Sequence, residues 1–177
     1  MYNRISIIGG SGCGKSTLCD ILAKELKLPA IHLDAINYKP NWVEIEKNER
    51  DKIISNKSKE DKWIIDGNYN KTLKERLNKA DLIIWLDYST WAQLKGVIKR
   101  YLKTRNKERD EIPGCKERIN AKFIKYVLTY NKKKRPEVKE LLMEISQNKV
   151  LTFNKQKDLN KWLIQFTNNS AVLKEVK

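Results

Sequence analysis

The chain has 177 residues, a formal net charge of +15, three cysteines and one histidine. This length suits a single domain, 1–177, with a sizeable core. The odd cysteine count, without metal-ligand spacing, argues against a disulfide framework or a zinc site, and one histidine argues against a histidine-based catalytic site. No apolar run approaches the roughly 18 residues of a membrane span, and no signal segment is recognised. We therefore expect a soluble, cytoplasmic monomer or small homo-oligomer that does not bind membranes.

The most specific motif is a glycine-rich loop between a predicted strand and a predicted helix. The run Ile5–Ile8 has the β-branched, apolar character of a buried strand, and the apolar residues from Leu18 to Leu26 recur at helical spacing. Strand, loop and helix in this order are the context in which G-x-x-x-x-G-K-[ST] binds phosphate. The predicted nucleotide-binding residues are Gly9, Gly10, Ser11, Gly12, Cys13, Gly14, Lys15, Ser16 and Thr17.

The chemistry of this loop predicts ATP and Mg²⁺ as cofactors. Glycines allow consecutive backbone N–H groups to turn inward, and the helix N-terminus adds a partial positive charge. Lys15 can reach the β- and γ-phosphates, and Ser16 can place its hydroxyl on Mg²⁺.

The rest of the chain alternates strands with helical segments, which predicts an α/β fold with a parallel sheet covered on both faces. A surface helix is expected over 43–56, an irregular loop over 104–114, and a final helix through Phe166 followed by a frayed tail, 168–177. The further predicted strands are 30–33, 63–67, 82–86 and 150–153.

Three aspartates follow predicted strands and should meet at the ligand-binding edge of the sheet. Asp66 matches the acidic residue that holds Mg²⁺ through water, although it could instead cap the turn before Gly67. Asp34 could hold Mg²⁺-bound water, accept the proton of an acceptor hydroxyl, or serve as a cap. Asp87 is interpreted as a cap for the next helix.

Basic and aromatic residues supply candidates for the rest of a phosphoryl-transfer site. Arginines from Arg100 to Arg118 surround the loop 104–114, and a mobile arginine-rich lid could neutralise phosphate charge and exclude water. Tyr38, Trp42 and Tyr69 could stack on a base or close over a substrate, or could be ordinary packing residues. The only histidine, His32, is predicted to be structural.

The same residues carry a resemblance to a known family. The phosphate loop, Ile31–Asp34 and Lys39–Trp42 resemble adenylate-kinase-like P-loop proteins of the DNA topology modulation protein family. Two blocks are more specific to that group, Trp63–Tyr69 with its Asp-Gly-Asn-Tyr sequence, and the Arg-Asp…Cys…Glu-Arg block from Arg109 to Arg118. The chain departs from the pattern at Tyr38, where tryptophan is common, and after Asp87, where Pro-Arg would be usual.

The resemblance implies a three-layer P-loop NTPase fold of the nucleoside-monophosphate-kinase type, with sheet order 2-3-1-4-5. It implies an acceptor-binding segment at 37–60 (the acceptor segment), a lid at 104–116 (the lid segment), and arginines that face the phosphates. The expected catalytic residues are Lys15, Asp34, Arg100, Arg109 and Arg118. The expected metal ligands are Ser16 and Asp66. The expected substrate-binding residues are Asp34, Tyr38, Trp42, Asp66, Gly67, Asn68 and Tyr69.

The leading interpretation is a P-loop kinase that transfers the γ-phosphoryl group of ATP to a small acceptor, either a nucleotide or a hydroxyl compound. The alternative is an ATP-regulated nucleic-acid-binding protein that affects DNA topology, because the region 95–135 holds 15 basic and 4 acidic residues. A GTPase is disfavoured because Lys157 stands where the guanine-reading aspartate would follow Asn154.

Overall fold

A computed structural model describes residues 2–105 and 107–175, with side chains through residue 168. Nine strands and eight helices are assigned in this part of the chain. The strands are β1 (Arg4–Gly9), β2 (Ala30–His32), β3 (Tyr38–Lys39), β4 (Val43–Glu44), β5 (Trp63–Asp66), β6 (Leu82–Leu86), β7 (Glu108–Arg109), β8 (Ile112–Lys116) and β9 (Val150–Phe153). The helices are α1 (Lys15–Leu26), α2 (Leu33–Asn37), α3 (Lys47–Ser58), α4 (Asn70–Lys79), α5 (Thr90–Thr104), α6 (Ala121–Lys133), α7 (Arg135–Met143) and α8 (Gln156–Glu175).

Five parallel strands form the central sheet in the order β2-β5-β1-β6-β9, which confirms the predicted order 2-3-1-4-5. Alternate residues of these strands enter two cores. Ile7 and Ile84 join the core beneath α1 and α8, whereas Ile8 and Trp85 join the core beneath α3, α4 and α7. This period of two explains why the strands are apolar throughout, and it produces the three-layer α/β/α architecture.

Two local predictions differ from the structure. The helix predicted from Val43 begins at Lys47, because the Glu46 side chain caps it by accepting from the N–H groups of Asn48 and Glu49. Val43–Glu44 instead pairs with Tyr38–Lys39 as a short hairpin. The predicted irregular loop 104–114 instead includes β7 and the start of β8, which pair as antiparallel strands as far as Lys116.

The end of the chain also differs from the expectation. Helix α8 continues past Phe166 as far as Glu175, through most of the segment predicted as a tail. The last two positions of that prediction, 176–177, lie outside the described residues. Among the helices that the structure describes, none combines the length and the apolar character that a membrane span requires.

Candidate active site

The phosphate loop joins β1 to α1 at the carboxyl edge of the sheet. Helix α1 begins after Gly14, which has a left-handed conformation, and no side chain caps its first N–H groups. Those donors therefore remain available to an anion. Helix α5 packs directly on the loop: a Cβ added to Gly96 would lie 2.1 Å from the Gly12 carbonyl oxygen.

Asn68, predicted to bind substrate, contacts the phosphate loop. Its Oδ1 accepts from the Gly9 N–H at 3.1 Å, and its Nδ2 donates to the Gly9 carbonyl at 3.0 Å. The same Nδ2 lies 3.1 Å from the hydroxyl of Tyr130 on α6. The side-chain amide of Asn68 thus fixes the start of the phosphate loop, at Gly9, to the segment after β5.

The segment after β5 depends on Arg76, which sequence reasoning missed. This side chain is fully buried on α4 and donates to the Gly67 carbonyl at 3.1 Å and to the Asn68 carbonyl. Burial lowers its pKa to about 10, and no carboxylate in the described part of the chain is within ion-pair distance. The only sequence signal was an arginine at a helical position that otherwise faces the core.

Lys15, Ser16 and Asp66 occupy adjoining positions around the start of α1. Lys15 Nζ donates to the Gly10 carbonyl at 2.9 Å, and the Ser16 side chain lies near enough to the buried Asp66 carboxylate to help lower its pKa. Burial alone would raise the pKa of Asp66, but hydrogen bonding to His32 and the charges of His32 and Lys15 hold it below its ordinary value. Asp66 is therefore ionised, as a ligand of Mg²⁺ must be.

His32 connects Asp66 to a second carboxylate. Its Nδ1 lies 3.2 Å from Asp66 Oδ1, and its Nε2 lies 3.0 Å from Asp20 Oδ1 on α1. The hydrogen bond to Asp66 raises the pKa of His32 above its usual value, despite partial burial. The strand register, which places His32 beside Asp66, is the feature that sequence alone did not reveal.

Asp34 lies at the start of α2 and accepts a hydrogen bond of 2.9 Å from the Tyr69 hydroxyl. Two more phenols, those of Tyr38 and Tyr126, lie near enough for its charge to act on them. Burial, together with the Asp34 charge, raises the pKa of Tyr38 and raises that of Tyr126 to about 12. Tyr126, on α6, was not among the predicted site residues. The result is one carboxylate within a cluster of hydroxyl-bearing aromatic rings.

Arg50 lies at the border of this cluster. Its guanidinium lies over the Tyr69 ring at 4.8 Å and donates to Asn37 Oδ1 at 3.1 Å. Asp51 pairs with it at 2.7 Å, which balances its charge. The arginine therefore supports Tyr69 instead of presenting a free cation.

The three predicted lid arginines have different surroundings. Arg100 pairs with Glu117 at 2.9 Å, and Arg109 lies 3.9 Å from the same carboxylate, whose side chain is 1% exposed. Arg109 also pairs with Glu111 at 3.5 Å. Arg118 is exposed and has no carboxylate at ion-pair distance among the described side chains, residues 2–105 and 107–168. Among these three arginines, Arg118 is thus the one whose charge is not compensated by a carboxylate.

A cavity of about 290 Å³ lies at the ends of β6 and β9. Its lining residues are Asp87, Tyr88, Ser89, Asn131, Arg135 and Asn154.

The prediction that Asp87 caps α5 is wrong, because Ser89 accepts from the Ala92 N–H instead. Asp87 binds Arg135 through two hydrogen bonds, of 2.6 and 2.8 Å. Arg135 thus places a guanidinium at the turn after β6, where the sequence has no arginine directly after Asp87.

The comparisons with known proteins identify the fold of the chain. No protein-family model matches the chain, and no curated protein matches it in sequence. A shikimate kinase from Acinetobacter baumannii, in complex with shikimate, has a TM-score of 0.58 at 16% identity over 96% of this chain and 94% of that chain. A gluconokinase from Sinorhizobium meliloti 1021 has a TM-score of 0.55 at 15% identity, over 98% and 94%. A shikimate kinase from Bacteroides thetaiotaomicron has a TM-score of 0.54 at 17% identity, over 99% and 98%. The chain therefore has the fold of P-loop kinases.

Proposed function

We propose that this chain is a P-loop kinase that transfers the γ-phosphoryl group of ATP to a hydroxyl group of a small acceptor. The observation that carries the proposal is the Asp34 carboxylate, which Tyr69 holds within the cluster of phenols at the ligand edge of the sheet. A carboxylate repels a phosphate acceptor but can take a proton from a hydroxyl. This favours a hydroxyl compound over a nucleotide.

The donor side fits ATP and Mg²⁺. The uncapped N–H groups of α1 suit the phosphates, and Lys15 needs only to exchange the Gly10 carbonyl for a phosphate oxygen. Ser16 and the ionised Asp66 form an oxygen donor set of the kind that Mg²⁺ prefers. Bound Mg²⁺ would neutralise charge on the phosphate oxygens. We assign the donor nucleoside to the cavity beside Asp87.

In the proposed reaction, an acceptor oxygen forms a bond to the γ-phosphorus while the bond from that phosphorus to the ADP oxygen breaks. The proton of the acceptor hydroxyl passes to Asp34. Lys15 and Arg118 stabilise the charge on the transferring group. Arg100 and Arg109 act with them, although they share the buried Glu117 carboxylate in this structure.

The structural neighbours support this proposal, because the shikimate kinases and the gluconokinase share the fold over nearly the whole chain. We also propose that the chain belongs to the DNA topology modulation protein group. The residue blocks named above support this membership, and the second block includes the lid hairpin β7–β8. The family label does not specify an acceptor.

The test is ADP production from ATP and Mg²⁺ with a panel of acceptors. The panel contains sugar and cyclic hydroxy acids, polyols, nucleosides, nucleoside monophosphates and duplex DNA. We expect a hydroxyl compound to stimulate turnover and Lys15→Ala to abolish the stimulation. Stimulation by a nucleoside monophosphate alone would contradict the assignment of Asp34 as the proton acceptor.

A second candidate function, ATP-regulated nucleic-acid binding, has one specific observation in its favour. Helices α5 and α6 carry exposed lysines that have no carboxylate at ion-pair distance in the described ranges. These are Lys95, Lys99, Lys103, Lys122, Lys125, Lys132 and Lys133. Binding of duplex DNA that weakens steeply with salt would support this function, whereas absence of binding near physiological salt would exclude it.

A further inference from the structure

The acceptor segment and the lid segment pack directly on each other. Gly114 has a φ of +77°, and a Cβ there would lie 2.7 Å from the Pro40 Cβ. The Cys115 thiol donates to the Lys39 carbonyl at 3.3 Å. These contacts leave room for a glycine and a small thiol only, so the two segments meet at one defined place.

Trp42 is the centre of this contact. Its backbone N–H donates to Cys115 Sγ at 3.4 Å, and its indole Nε1–H donates to the Lys116 carbonyl at 2.8 Å. Both Asn41 and Trp42 have positive φ, +62° and +63°. Two consecutive non-glycine residues in this conformation are unfavourable, and a bulky side chain there is a marked outlier. The hydrogen bonds and packing of Trp42 hold the strained turn in place.

Two arginines of the lid region use the Trp42 ring as a platform. The Arg118 guanidinium carbon lies 5.0 Å from the ring centroid, and the Arg109 carbon lies 5.7 Å from it. Both distances are in the range of a cation–π interaction. Because the ring already carries two cations, it is poorly placed to stack on a base, which was one of the roles that the sequence left open for it.

We propose that Trp42 is a positioning residue that acts through Arg118 and Arg109. The acceptor segment supplies the surface on which the lid arginines are held, so the charge that must meet the transferring phosphoryl group is aligned before ATP binds. This inference rests on the proposed kinase function for its catalytic consequence. Its structural content, that Trp42 holds the lid region in place, is independent of that function.

The first experiment uses no acceptor. Trypsin cleavage between residues 105 and 118 of the unliganded full-length protein is followed by mass spectrometry. We expect Trp42→Leu to raise the cleavage rate at least about fivefold, because few local contacts remain to protect this segment. Trp42→Phe, which keeps an aromatic face, should change the rate less than about twofold. Equal rates for wild type and Trp42→Leu would overturn the proposal.

The second experiment separates positioning from structure. With the stimulating acceptor, Trp42→Leu should lower kcat at least about tenfold while KM for ATP stays within about twofold. Trp42→Phe should retain most of kcat. In the Arg118→Ala background, Trp42→Leu should lower kcat by clearly less than it does in wild type, because the part of its effect that acts through Arg118 is already lost and only the part through Arg109 remains. Full multiplication of the two effects would show that Trp42 does not act through Arg118.

Trp91→Leu on α5 is the matched control, because Trp91 is 79% exposed and lies outside both segments. It should alter neither readout, and thermal unfolding of every variant checks that the fold persists. If wild type phosphorylates no acceptor, the proposed function fails, while the trypsin experiment still decides whether Trp42 holds the lid region.

Discussion

The donor side and the acceptor side of the candidate site are built differently. The proposed donor side is a run of nine consecutive residues that leads into the uncapped start of α1, and it is fixed by Asn68 and Gly96. The acceptor side is made of side chains that are distant in sequence: Tyr69 and Asp34 are 35 residues apart, and Trp42 and the Lys116 carbonyl are 74 apart. A site formed by backbone groups can bind the same phosphates in many proteins. A site formed by side chains can change the acceptor that it binds after a few substitutions. Under the proposed function, we therefore expect the acceptor side to determine specificity.

The largest expected effect tests the acceptor side. Asp34→Asn keeps the shape of the side chain but cannot accept a proton as a carboxylate does, so kcat should fall about 10²- to 10⁴-fold. KM for ATP should stay within about twofold, because the donor phosphates are bound elsewhere. Steady-state ADP production with the stimulating acceptor measures both constants. Asp110→Asn, at an exposed lid position, is the control. A rise in KM for ATP of the same size would mean that the two sides are not separate.

The next effect tests the donor side. Lys15→Ala removes charge-assisted phosphate contacts of about 1.5–3 kcal/mol each, so kcat/KM for ATP should fall at least about 100-fold if two contacts are lost. The loss should be the same with every acceptor. Lys24→Ala, an exposed position on the same helix, should have no effect. A loss that depends on the acceptor would place Lys15 on the acceptor side.

A smaller effect concerns Arg76, the buried side chain that supports the segment after β5, and it is an effect on stability. Arg76→Met leaves the carbonyls of Gly67 and Asn68 without their donor, so the free energy of unfolding should fall by about 2 kcal/mol. Urea unfolding measures the change. Arg4→Met, near the surface, is the comparison. An increase in stability on Arg76→Met would show that the desolvation cost of the buried guanidinium exceeds the value of its hydrogen bonds.

The smallest effect concerns the α3–α4 border beside the acceptor segment. Glu75 accepts from Ser55, Ser58 and Lys79, and the hydrogen bond from Lys79 contributes most to a pKa below the ordinary value of 4.5. Its stabilisation is therefore present above that ordinary pKa and is lost as pH falls through the lower folded value. Glu75→Gln should cost less than about 1 kcal/mol at pH 7, since the carboxylate is partly exposed. The wild-type and variant unfolding curves should converge at low pH.

The same contrast explains what sequence could predict. The phosphate loop, Asp34 and Asp66 follow strands, and the sheet order agrees with the prediction, because local pattern and strand ends determine these features. The roles of Asn68 and Arg76 were missed, because both act on backbone groups, which leave no trace in residue type. The two hairpins were also missed, because three of their four strands have only two residues, too few to show a recognisable periodicity.

Trp42 shows a further limit of sequence reasoning. An aromatic residue near an acceptor segment suggests stacking on a ligand, and the cations that lie over it come from a segment more than 60 residues later. Side-chain pairing over such a separation depends on how two loops pack, and one sequence carries no record of that packing.

The close approach of Gly96 to Gly12 links the orientation of α5 to the phosphate loop. Helix α5 rests on the loop at Gly96, and its C-terminal end leads into the lid segment. From residue 96 to residue 105 a helix rises about 13 Å, so a tilt of about 5° would displace the far end by about 1 Å. Misplacement of that size is enough to change a rate by about two orders of magnitude. We therefore expect a methyl group at residue 96 to displace the arginines that we propose to act on the phosphates.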